Sequence, residues 1–225
     1  RELLEDIENT FVEEIRSECD PFFGGNPPEP LSPYLKQLIK TVKKSNSEGK
    51  LSMGLVFDGD GDRLAAIDER GRFCSTQLLM PLLIDHLARW RKLPGCVIKT
   101  VSGSDLMCLI AEDLDREVIE LPVGFKYIAE EMLSRTVLIG GEESGGIGFG
   151  CHLPERDALF ASLLLLEAIT ECGEPLGERL DNLQKRFGSS NYERIDLQLK
   201  NLVVRQRLES FLKATPPSTV AGFPV

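Results

Sequence analysis

Apolar residues recur at helical spacing near the start of the chain, at Leu3, Leu4, Ile7, Phe11 and Ile15, and a turn-rich run over 20–33 closes that expected helix. A second helix is expected from Ser32 as cap and Pro33 at its first turn, through Leu35, Leu38, Ile39 and Val42. Short apolar runs at 53–57 and 64–68 then flank a segment of alternating Asp and Gly, which gives strand, loop, strand. From 77 onward the period alternates: helix over 77–90, strand over 95–101, helix over 105–114 behind Ser104, strand over 117–121, helix over 124–133, strand over 136–139, and a nearly all-apolar helix over 157–170. A helix over 175–187, an extended segment over 189–198 and a helix over 202–214 follow. Strands alternating with helices predict an α/β fold built on mixed, mainly parallel sheets covered by helices. Three pieces are expected: residues 1–72 with the Asp/Gly loop, 73–188 as a complete α/β layer, and 189–225 as a linker and the start of a further domain.

Composition narrows the function classes. Charged residues at 28% and hydrophobic ones at 42% describe an ordinary globular chain, and the formal charge of -10 provides no footprint for nucleic acid or an anionic membrane. The six cysteines show no CxxC or zinc-ribbon spacing, which fits reduced thiols in a cytoplasmic compartment. No run reaches the roughly 18 apolar residues of a membrane span, and the acidic amino-terminal stretch is unlike a secretory signal. A chain that opens on Arg1 and stops at Val225 is expected to be a piece of something longer.

Chemistry concentrates in two glycine-rich loops. In DGDGDR, at 58–63, Asp58, Asp60 and Asp62 alternate with glycines, so a tightly curved backbone can aim three hard oxygen donors at one divalent ion, Mg²⁺ or Ca²⁺. The residues sit at EF-hand positions one, three and five, but Arg63 occupies the position that requires Gly and the flanks are strands, which excludes that motif. Arg63 reads either as a bidentate clamp on phosphate or as a salt bridge to a nearby carboxylate. In GGEESGGIGFG, at 140–150, Glu142 and Ser144 follow a strand at the end where α/β sheets bind ligands. They suit sugar hydroxyls, although a glycine turn with a capping glutamate gives the same pattern, and the spacing is not that of a dinucleotide-binding loop. Lys126, early in a helix after another strand, is a candidate for phosphate binding or proton exchange, or is simply solvated.

Together DGDGDR, VGFKYI at 123–128 and GGEESGG at 140–146, with NPPEPLSPYLKQLIK upstream, resemble the α-D-phosphohexomutase family, the phosphoglucomutases and phosphomannomutases. The resemblance covers nearly the whole chain. It implies most of the family's second domain, with the first strand lacking, then the third α/β/α domain and the start of the fourth. It further implies Mg²⁺ on Asp58, Asp60 and Asp62 together with a phosphoserine from another domain, and Arg63 steadying phosphate. Glu142 and Ser144 would hold sugar hydroxyls, with Gly124 and Gly141 in the same substrate-binding set, and Lys126 would contact substrate as an acid or base. The implied reaction interconverts hexose 1-phosphate and hexose 6-phosphate through a bisphosphorylated sugar, with glucose 1,6-bisphosphate as activator. Glucose is favoured over mannose because GEES resembles the phosphoglucomutase loop. The family's serine loop and distal-phosphate loop are absent from this sequence, so its partners would be the missing domains of the parent chain and a phosphorylated hexose, and alone it is expected to be inactive. Gly146 stands where many relatives have His, which raises the question whether His152 compensates. Two rival readings are a noncatalytic sugar-phosphate or metal-binding module and a metal-dependent sugar phosphohydrolase.

Overall fold

The computed structural model describes residues 4, 7, 10–189, 192, 201–220 and 222–224, and the chain divides into two compact units, Arg1–Ser190 and Asn191–Val225. In the first unit, the helix expected over the opening residues is not formed across 10–20, where Phe11 is exposed; most of the residues before it lie outside those described. An amphipathic stripe stabilises a helix only when another surface covers it, and Phe11 is 81% exposed.

Pro33 sits in a short 3₁₀ turn, Ser32–Tyr34, and helix α1 (Lys36–Ser47) begins three residues after it. The helix covers one face of an antiparallel sheet of β1 (Gly54–Phe57), β2 (Leu64–Ile67) and β3 (Phe73–Cys74), ordered β1-β2-β3. All four residues of β2 are apolar because both its faces are buried. Ala65 and Ile67 pack with Val42 and Val56 under α1, while Leu64 and Ala66 join the main core on the other side. Strand alternation assigns them in this way.

The second sheet runs β5-β4-β6-β7. Strands β4 (Cys96–Thr100), β5 (Val118–Leu121) and β6 (Val137–Gly141) are parallel, as the strand–helix alternation predicts, and β7 (Ile147–Phe149) returns antiparallel to β6. Residues 140–150, expected as a loop, are therefore largely a hairpin. Helices α2 (Thr76–Asp85, continued by a π turn, His86–Trp90), α3 (Asp105–Asp113), α5 (Ala158–Cys172) and α6 (Leu176–Phe187) bring residues to the main core, and α4 (Phe125–Ser134) packs Phe125 and Ile128 on Cys96, Ile98 and Val137. Ser104 caps α3 by accepting from Leu106 N–H at 3.2 Å, and Asp157 caps α5 by accepting from Phe160 N–H at 2.8 Å. Each cap satisfies an otherwise orphaned amide.

A buried polar network ties the β2–β3 turn to α6. Asp68, fully buried, accepts from Arg72 Nε at 2.5 Å, Arg72 reaches Asp181 at 2.8 Å, and Glu69 accepts from Gly177 N–H at 2.8 Å in the first turn of α6. Glu69 thus anchors the start of α6.

In the second unit, α7 (Leu202–Ala214) is capped by Asn201, which accepts from Val204 N–H at 3.0 Å, and β8 (Thr219–Val220) pairs with β9 (Phe223–Pro224). The strand expected over 189–198 lies outside the described residues apart from Ser189 and Tyr192. The six cysteines are free of disulfides, and no helix among the described residues is long and apolar enough to cross a membrane.

Candidate functional site

The DGDGDR segment links β1 to β2 and is held in shape by its own first carboxylate. Asp58 Oδ1 accepts from the backbone N–H of Asp62 at 3.0 Å and of Arg63 at 3.1 Å, and its Oδ2 accepts from Arg63 Nε. Gly61, at φ 75°, supplies the left-handed step in the turn, and Gly59 N–H donates to the carbonyl of Pro28 at 3.0 Å, seating the loop on the proline-rich segment before α1. Asp58 is buried, Asp62 half-buried and Asp60 exposed, and each offers a carboxylate oxygen within 4.8 Å of the others. Three hard donors converging from a curved loop fit Mg²⁺.

The side chain of Arg63 is therefore engaged in an ion pair with Asp58, the structural alternative weighed for it, and its Nε also lies 3.8 Å from Asp62 Oδ1. Burial pushes the Asp58 carboxyl up, but the hydrogen bonds from Arg63 outweigh it and hold the group below its ordinary value. Asp62 moves the other way. Burial raises it and the Asp58 and Asp60 carboxylates add to the rise, against the pull of Arg156. A divalent ion would reverse that repulsion.

The second loop forms the turn between β6 and β7. Glu142 N–H donates to Gly146 O at 2.9 Å and Gly145 N–H returns to Glu142 O at 3.3 Å. Gly145 is required twice over: its φ is 113°, and a Cβ there would lie 2.9 Å from Leu64 O. That closeness reflects a direct stitch between the two loops, because Leu64 N–H donates to Gly145 O at 2.9 Å and Arg63 bridges to Gly146 in antiparallel fashion. The exit of the aspartate loop and the glutamate turn are therefore neighbouring strands of backbone.

Glu142 is 5% exposed. Its Oε1 accepts from Gly124 N–H at 3.0 Å, and its Oε2 lies 3.6 Å from Arg156 Nη1. Burial raises the carboxyl above its ordinary value, partly offset by Arg156 and by that amide. Gly124, at φ 133°, caps α4 and so works through Glu142, while Gly141 is buried in the sheet, paired with Lys99 and Ile147. Ser144 is half-buried in the turn. Lys126 is exposed in the first turn of α4, two residues beyond Gly124, with its ammonium 4.6 Å from the Tyr127 ring centre. Glu143 accepts from Ser102 Oγ at 2.5 Å and Thr100 Oγ1 at 3.3 Å.

Arg156 was not singled out by the sequence reading, yet it joins the two loops. Its Nη2 lies 2.5 Å from Asp62 Oδ2 while Nη1 faces Glu142. A lone arginine beside the N-cap Asp157 carries no motif, and only the fold brings it between the loops. His152 takes no part there: it contacts Asp157 at 2.9 Å and stacks on Phe160.

Residues 76–187 match the model of phosphoglucomutase/phosphomannomutase α/β/α domain III, and residues 1–71 match that of domain II. The chain belongs to this family. It is 32% identical over 211 residues to a phosphoglucosamine mutase of Methanocaldococcus jannaschii, covering 92% of this chain and 47% of that one. It is 28% identical over 194 residues to a phosphoglucomutase/phosphomannomutase of Thermococcus kodakarensis, covering 86% and 41%. The crystal structure of a putative phosphomannomutase from Thermus thermophilus superposes with a TM-score of 0.74 at 36% identity, over 81% of this chain and 41% of that one. This chain thus spans under half the length of the curated relatives it matches.

Proposed function

We propose that this chain supplies the metal loop and the sugar loop of a phosphohexomutase that interconverts hexose 1-phosphate and hexose 6-phosphate. The observation that carries the reading is the backbone stitch from Leu64 to Gly145, which sets three aspartates and Glu142 on either side of Arg156. A solvated acidic turn would have no reason to be fastened to a glycine-rich turn that buries a second acid.

Residues 1–72 and 73–188 then correspond to the second and third domains and 189–225 to the start of the fourth, a division supported by family matches that meet between 71 and 76 and end at 187. Asp58, Asp60 and Asp62 would hold Mg²⁺, which supplies charge neutralisation for a transferring phosphoryl group. Arg63 fixes the triad through Asp58, and its guanidinium lies beside that phosphoryl group. Glu142, raised by burial and oriented by Gly124 N–H, accepts from sugar hydroxyls with Ser144. Lys126, at the positive end of α4, binds phosphate and exchanges a proton. The phosphoserine comes from another domain of the parent chain, and glucose 1,6-bisphosphate primes it.

Glucose is the first substrate reading, on the GEES sequence, and glucosamine the second, favoured by the name of the M. jannaschii relative. With Mg²⁺ and a trace of glucose 1,6-bisphosphate, the parent protein is expected to interconvert the 1- and 6-phosphates of one of these sugars, and Asp60→Asn to lower turnover at least tenfold. Release of inorganic phosphate without isomerisation would favour a phosphohydrolase; binding without turnover would favour a noncatalytic module.

A further inference from the structure

Arg156 is placed so that it contacts a carboxylate of each loop. Its tighter contact, 2.5 Å, is to Asp62, a member of the triad, and the looser one, 3.6 Å, is to Glu142. Its Nε is buried without a hydrogen-bond partner among the described residues and lies 3.9 Å from Glu155 Oε1, so the guanidinium is held by carboxylates and by the Phe125 ring, 5.6 Å away, rather than by a full set of hydrogen bonds. A cationic group fixed this way can be released by removing one partner.

The seat exists because residue 146 is glycine. A Cβ at Gly146 would lie 2.3 Å from Arg156 Cδ and 3.1 Å from its Cγ. Gly146 does not have a positive φ, so alanine there meets no backbone strain. It would clash with the arginine and touch Glu142 Oε2, 3.4 Å away, at ordinary contact distance.

We infer that Arg156 is a positioning residue that competes with a divalent cation for Asp62, and that a cation arriving at the triad turns Arg156 wholly toward Glu142. The inference rests on the metal reading of the aspartate loop. A guanidinium on Asp62 both occupies an oxygen and places positive charge against the incoming ion, so the two exclude each other. Released from Asp62, Arg156 keeps the buried Glu142 at 3.6 Å and the exposed Glu155 at 3.9 Å in reach, and the orientation of the buried one, Glu142, then depends on whether the triad is filled. Cation binding and sugar-loop geometry become linked, and linkage is reciprocal.

The test is Mn²⁺ affinity of this chain, read from the free-ion EPR signal. Removing Arg156 as Arg156→Met is expected to tighten Mn²⁺ binding on the order of tenfold, the scale of one unit charge at salt-bridge range. Gly146→Ala, whose clash is with the arginine, is expected to tighten it as well, and the double variant to gain nothing beyond the larger single effect. Arg156→Lys, a point charge that reaches one carboxylate at a time, is expected to restore most of the wild-type affinity. A merely structural arginine would leave affinity unchanged or weaken it on removal, and either result with Arg156→Met overturns the inference. If that variant melts below the assay temperature, Gly146→Ala decides alone: unchanged or weaker binding overturns it. Wild-type chain that binds Mn²⁺ no better than Asp60→Asn would overturn the metal reading itself, and this inference with it.

Discussion

At the scale of single residues, the site depends on glycines that no side chain can replace. Gly145 combines a φ of 113° with a Cβ position 2.9 Å from Leu64 O, so Gly145→Ala must both strain the backbone and push apart the hydrogen bond joining the two loops. The expected cost is about 2 kcal/mol or more. Urea denaturation checks it, and an unchanged midpoint would mean that the stitch contributes nothing to stability. Gly146→Ala is a contrasting case one residue along, because it offends a side chain and not the main chain. Arg63 shows the same economy of role: the sequence left open whether it binds phosphate or a carboxylate, and in the fold its Nε is on Asp58, shaping the loop that carries the three aspartates.

At the scale of elements, the site stands on a frame of helices whose attachments are ionic as well as apolar. Glu167 on α5 pairs with Arg91 and with the buried His86, joining α5 to the π turn that ends α2. The hydrogen bond from Arg91, aided by His86 and opposed by burial, lowers its carboxyl below the ordinary 4.5. A folded-state value below the unfolded one adds stability above about pH 4.5, and that stability is lost as pH falls through the folded value. Glu167→Gln should therefore lower the melting temperature by about 2–4 °C at pH 7, the equivalent of roughly 1 kcal/mol for a half-exposed pair. Melting curves recorded from pH 7 to pH 3 should show the two proteins converging at the acid end. A difference that stays constant across that range would assign the effect to packing instead.

At the scale of the whole molecule, most of the fold was legible because strands and helices alternate without a break along the second sheet and its central elements are strongly apolar. The CVIKT strand and the LFASLLLLEAI helix are examples, and the caps Ser104 of α3 and Asp157 of α5 stand one residue before the helices they start. The expected opening helix is not formed over the described residues 10–20, because periodicity through Phe11 and Ile15 records amphipathicity, not the presence of a covering surface. The β6–β7 hairpin was hidden by its glycines, which resemble a loop until the Glu142–Gly146 turn closes it. Within the site, the aspartates and Glu142 were legible as motifs, whereas the stitch at Gly145 and the reach of Arg156 to Asp62 depend on contacts between residues 81 and 94 positions apart, which no local pattern records. The central claim is that Asp58, Asp60 and Asp62 form one divalent-metal site beside the glutamate turn. Crystals of the chain soaked in Mn²⁺, an oxygen-seeking stand-in for Mg²⁺, and measured at the manganese absorption edge would test it directly. One anomalous peak bonded to carboxylate oxygens of all three aspartates is expected, and no peak there, or a peak held by other residues, would contradict the account.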